Sequence, residues 1–132
     1  MMKYATIAAR ILLGLAFTAA GLGGFALAFN PPPAPAGLAG AFQSVFFQSH
    51  WVLVVDAVEF IAGLALLINR YVPLALTMLA AVLVNILTFH ITMMPAGIVP
   101  GLILTALWVV VTIPLRDHFR PLLTSRMPGP TP

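Results

Sequence analysis

Four long apolar stretches, each closed by residues that end a helix or a membrane span, constrain this chain more than any other feature of its sequence. The first runs from about Tyr4 to Phe29 and stops at Asn30. Beyond it lies Pro31-Pro32-Pro33-Ala34-Pro35, which lacks the N–H groups a helix needs to continue. The second runs from Trp51 to Ile68 and is stopped by Asn69-Arg70. The third opens at Pro73, well suited to a first helical turn, and runs to about Met94, where Pro95-Ala96-Gly97 breaks it. The fourth covers about Ile98 to Leu115 and ends at Arg116-Asp117. At ~1.5 Å per residue, ~20 apolar residues cross ~30 Å of hydrocarbon, and each stretch reaches or approaches that length. The expectation is an all-α fold: an integral membrane four-helix bundle in a single transmembrane domain over 1–132, with helices at about 4–29, 51–68, 73–94 and 98–115.

Composition excludes most alternatives. Hydrophobic residues make up 61% of the chain and charged residues 7%, against roughly a quarter charged in soluble domains. The net charge of +3 does not predict a nucleic-acid partner, because the six Lys and Arg residues form no stripe that could follow phosphates. With no cysteine, the chain cannot supply a disulfide, a thiolate nucleophile, iron–sulfur ligands or a Cys-built zinc site. Gly21-Leu22-Gly23-Gly24 lacks the preceding strand of a dinucleotide fingerprint and reads as small residues that admit a neighbouring backbone, and Gly63 in the second stretch is expected where two helices meet. Lys3 and Arg10 before an apolar run, with Ala26-Leu27-Ala28 near its end, also outline a signal peptide. The apolar part is long for that role and reads as a first spanning helix.

The cations set an expected orientation. Lys3 and Arg10 flank the start of the first helix, Arg70 stands in the second turn, and Arg116, Arg120 and Arg126 follow the fourth helix, whereas segments 31–50 and 95–100 contain none. The positive-inside rule then places both termini, the Arg70 turn and the tail 116–132 in the cytoplasm. The Pro-rich connection 30–50 and the 95–100 turn fall outside. The expected location is the bacterial cytoplasmic (inner) membrane, crossed several times. Tyr4 and Trp51 stand where interfacial aromatics are expected. Leu38, Phe42, Val45, Phe46 and Ser49 are spaced as in a short helix with one apolar face, predicted to lie flat on the outer surface.

Polar residues inside hydrocarbon cost a few kcal/mol each unless partnered or hydrated, so they are the candidate site. They are Asp56 and Glu59 in the second helix and Asn85 and His90 in the third, with Thr18, Thr77, Thr88, Thr92, Thr105 and Thr112 as weaker candidates. Asp56 and Glu59, three apart, share a helix face. Counted from the outer helix ends, Glu59 and Asn85 each lie ~12 Å deep, which predicts a hydrogen bond between them. Asp56 and His90 fall within ~8 Å of the same end and form a second layer, although Asn85 and His90 are about 140° apart around their helix.

Several chemistries stay open at these positions. Glu59 and Asn85 can simply register two helices. Alternatively, the four residues line an outward-opening ligand or water pocket, with Asp56 and Glu59 as proton acceptors and His90 as a proton-exchanging group. A metal on Asp56, Glu59 and His90 lacks an i, i+4 ligand pair, and no metal is assigned. A b-type haem needs two facing imidazoles, but His50 stands in a connection rather than in a helix with His90.

These residues resemble a family. The stretch from Asp56-Ala57-Val58-Glu59-Phe60-Ile61-Ala62-Gly63 through Ile68-Asn69-Arg70-Tyr71-Val72-Pro73 to Val84-Asn85-Ile86-Leu87-Thr88-Phe89-His90 is similar to the small bacterial DoxX-like membrane proteins. Those proteins carry a Glu followed four residues later by Gly, an Arg-aromatic-Val-Pro turn, and an Asn-Ile-x-x-Phe-His segment. Here the pattern falls on Glu59, Gly63, Arg70 to Pro73, Asn85, Ile86, Phe89 and His90. Ala9-Arg10-Ile11-Leu12-Leu13-Gly14-Leu15 and Arg116-Asp117-His118-Phe119-Arg120-Pro121 extend it over nearly the whole chain.

The resemblance implies the four-helix fold and, for function, links to sulfur-compound oxidation with quinone as acceptor or to membrane complexes that handle oxidative stress. Two functions are carried forward. The first is a non-catalytic subunit or anchor of a larger membrane complex, respiratory or redox, contributing to a quinone or lipid site. The second is a small transporter or proton-linked module using Asp56, Glu59, Asn85 and His90. No catalytic residue and no cofactor are assigned to the chain itself. The expected partners are membrane lipid and other membrane subunits or further copies of the chain.

Overall fold

A computed structural model describes residues 1–126 and 129, and their regular secondary structure is entirely helical. The helices are α1 (Met2–Ala28), α2 (Leu38–Gln48), α3 (Trp51–Leu67), α4 (Val72–Thr92), α5 (Ile98–Thr112) and a single turn α6 (Arg116–Phe119). Short 3₁₀ turns fill Pro95–Gly97, Ile113–Leu115 and Arg120–Leu123. α1, α4 and the helical run Pro95–Leu123 are each long and apolar enough to cross a membrane. α3 joined to α2 across a bend of 83° makes a fourth candidate span.

Local chemistry explains the breaks. Gly37 has φ 77° at the start of α2, a left-handed angle open to glycine. Pro35 folds back so closely on Gly40 that a Cβ there would collide with the Pro35 carbonyl. His50, at φ 58°, turns the chain from α2 into α3. The α3–α4 turn uses two further left-handed residues, Asn69 at φ 56° and Tyr71 at φ 54°, and closes through Arg70 N–H to the Ala65 carbonyl at 3.0 Å. Pro73 lies in the first turn of α4, where its missing N–H costs nothing.

One boundary differs from the sequence expectation. The chain stays helical beyond Leu115, through α6 and a 3₁₀ turn to Leu123, whereas the fourth helix is expected from the sequence to end at about Leu115. Arg116 and Asp117 end an apolar span without ending a helix, because charge is costly in hydrocarbon but not in a helix. Pro114 falls in the 3₁₀ turn Ile113–Leu115. Of the expected tail 116–132, positions 127, 128 and 130–132 lie outside the described residues.

α1 packs along α3, α3 against α4, α4 against α5, and α5 returns to α1. The apolar core lies toward the Arg70 turn and joins Ala9, Leu13, Phe17, Ala62, Leu66, Leu76, Leu79, Leu83 and Val111. Trp108 ties α5 to α4 there, its indole N–H donating to the Leu76 carbonyl at 2.8 Å. Toward Trp51 the packing changes: α4 has no buried residue beyond Leu83, and the first half of α5 buries only Gly101. At that end α2 packs on α3 and reaches α4 through Phe42, 5.4 Å from Phe89 between ring centroids.

Candidate functional site

The seam between α1 and α3 is where polar groups enter the interior. On α3, Val52, Asp56, Glu59, Gly63 and Leu66 are buried at three- and four-residue spacing, one face of the helix. On α1 the opposing buried positions include Gly14, Phe17, Gly21 and Ala28. A Cβ at Gly63 would lie 2.5 Å from the Thr18 backbone nitrogen and 3.0 Å from the Gly14 carbonyl. One at Gly21 would lie 2.6 Å from the Asp56 carbonyl oxygen. At Gly24 it would strike the Asp56 carboxyl group itself. Small residues on both helices therefore let the backbones meet, as expected for Gly63 and Gly21; Gly24 leaves room for the Asp56 carboxyl group and Gly23 faces open space.

Asp56 is 5% and Glu59 9% exposed, so both acidic side chains lie within this seam. Asp56 Oδ2 and Thr18 Oγ1 are buried with no hydrogen-bond partner among the described residues. The ion pair found among those residues, Arg120 with Asp117 at 3.5 Å, is an exposed contact beyond α5. No family model, curated protein or solved structure matches the chain. The site is therefore read from its own geometry.

That geometry separates the four residues predicted to act together. Asp56 and Glu59 share the buried α3 face, but Asn85 is exposed on α4 and donates its side-chain N–H to the Ala81 carbonyl of its own helix at 2.9 Å. The expected Glu59–Asn85 hydrogen bond does not form. Glu59 is buried on the face of α3 that also carries Asp56 and Gly63, whereas Asn85 is exposed and bonds within its own helix. His90 is half-buried near the end of α4, its Nδ1 2.8 Å from the Ile86 carbonyl and its ring packed on Phe89 and against Gly97. His50, exposed, leans on Phe29 at 6.3 Å between ring centroids.

The threonines divide the same way. Thr77, Thr92, Thr105 and Thr112 donate to carbonyls four residues back, at 3.0, 2.7, 2.7 and 2.7 Å, so each is satisfied within its helix. Among the described residues no group of three or more His, Cys, Asp or Glu side chains could hold a metal ion.

One structural role has no counterpart in the sequence expectations. Arg10 reaches across to the last turn of α3 and donates to the carbonyls of Leu66 and, at 3.5 Å, Leu67. Those are among the carbonyls a helix end leaves unpaired. A lone cation two turns inside an apolar stretch was the available signal. Thr18, one of the weaker candidates, has its hydroxyl buried beside Gly63, and nothing in its local sequence distinguishes it from the self-bonded threonines.

Proposed function

We propose that this chain is a DoxX-like multi-pass protein of the bacterial inner membrane, a four-helix transmembrane bundle acting as a non-catalytic subunit or anchor of a larger membrane complex. The observation that carries the reading is the combination of an apolar exterior with a dispersed set of polar groups. Leu12, Leu15 and Leu22 of α1, Ile61 of α3, Leu74, Val84 and Ile91 of α4, and Leu102 and Ile103 of α5 are all exposed. A soluble protein rarely presents so much contiguous apolar surface. A lipid-facing one requires it.

The polar side chains offer packing and not a reaction centre. Asp56 and Glu59 lie in a glycine-lined seam, Asn85 faces outward and His90 packs against the α4–α5 turn. The resemblance of Glu59, Gly63, Arg70 to Pro73 and Asn85 to His90 to the DoxX-like pattern supports the family reading. It extends to a role beside a redox or respiratory enzyme at a quinone or lipid site, with the electrons carried by another subunit.

Purification from membranes in mild detergent tests the role. The subunit reading expects further polypeptides in fixed ratio with this chain. Purification alone, with proton flux in liposomes that Glu59→Gln abolishes, would replace it by the proton-linked transport reading.

A further inference from the structure

Asn85 is a polar residue on the exposed side of a helix apolar enough to cross a membrane. It stands on the exposed face of α4, ~10 Å from the Thr92 end at ~1.5 Å per residue. Its exposed apolar neighbours are Val84 and Ile91. One amide N–H is satisfied by the Ala81 carbonyl at 2.9 Å. The second N–H and Oδ1 have no hydrogen-bond partner among the described residues. In hydrocarbon such groups are costly until another polypeptide meets them.

We infer that two copies of this chain pack together in the membrane through this face of α4, with the Asn85 amides paired across a two-fold axis. The inference rests on the membrane reading above and names one partner and the surface it uses. A second copy is favoured because chains inserted in the same orientation place the same residue at the same depth. A two-fold axis along the membrane normal then brings Asn85 to Asn85. A primary amide carries both donor and acceptor, so it complements itself where a carboxylate or an ammonium would not. Thr77, Ala81 and Thr88, also exposed on this face, are small enough for two backbones to approach. Val54 and Ile61 of α3 and Ile103 and Val109 of α5, exposed on other helices, offer only hydrocarbon.

Because the chain has no cysteine, single cysteines can be introduced without a background. They are placed at Ala81, Val84 and Thr88 on the α4 face, and at Ile61 and Ile103 away from it. Membranes are then oxidised with copper-phenanthroline and, in parallel, extracted with alkaline carbonate. Disulfide-linked dimers are expected at the α4 positions and not at Ile61 or Ile103. Adding Asn85→Leu should lower the dimer yield roughly three- to tenfold, with Asn85→Gln retaining more because it keeps an amide. Carbonate-resistant protein that cross-links at all five positions alike, at none, or on α4 regardless of Asn85→Leu overturns the inference and leaves the membrane reading standing. Release by carbonate overturns the membrane reading itself.

Discussion

Asp56 shows what the interior of this protein tolerates at the scale of one residue. Its carboxyl group is buried against Gly24 with one oxygen lacking a partner among the described residues. Leaving such an oxygen unbonded costs about 1–3 kcal/mol, and more when it is charged. Asp56→Asn preserves the shape and removes the charge, so it is expected to leave the melting temperature in detergent unchanged or raised. A clear fall would show that the carboxylate has a partner the seam does not display. Gly63 responds in the opposite sense. A leucine there must displace the Thr18 backbone, and overpacking of that kind costs about 1–3 kcal/mol or more, whereas Gly23→Ala meets open space and should melt like the parent. Equal melting of Gly63→Leu and Gly23→Ala would contradict the seam. Gly63 was legible in the sequence because a glycine in an apolar helix has few uses other than close approach. The Glu59–Asn85 pairing was not, because counting residues gives depth along a helix and says nothing of which neighbour a face meets. Asn85 also has a local acceptor for one of its N–H groups, the Ala81 carbonyl, which a count of depth does not reveal.

Among the elements, α2 was visible from the spacing of Leu38, Phe42, Val45 and Phe46, and the structure places it at 83° to α3. Its hold on the rest of the molecule is narrow: Ala39 and Gly40 are its buried residues, and Phe42 and Phe46 stack 5.7 Å apart beside Phe89. An aromatic pair of this kind contributes about 1 kcal/mol beyond its buried area. Phe42→Ala should therefore raise hydrogen exchange in Leu38–Gln48 roughly fivefold or more, with α1 and α3 unaffected. Unchanged exchange would place the anchor of α2 elsewhere. The helical turns after Leu115 escaped the sequence reading because charge there was taken to end the helix along with the span. Arg10 escaped for a related reason, since a cation near a helix start satisfies the topology rule and hides its bond to the end of α3.

For the whole molecule, the apolar pattern set the long helices to within a few residues, and the distribution of the core did not follow from it. The core gathers at the Arg70 end, while α4 and α5 bury almost nothing toward the Trp51 end. Hydropathy cannot distinguish the two, because lipid and protein interior favour the same residue types. The central claim is that these helices cross a membrane with every cation on one side. Labelling single cysteines in intact cells with an impermeant thiol reagent tests it most directly, using Ala36→Cys in the Pro-rich connection, Ile68→Cys beside the Arg70 turn and Thr124→Cys after α6. Ala36→Cys should react from outside, while Ile68→Cys and Thr124→Cys should react only after the membrane is opened. Reaction at Ile68→Cys and Thr124→Cys with protection of Ala36→Cys would contradict the orientation, and equal reaction at all three in unopened cells would contradict the spanning bundle.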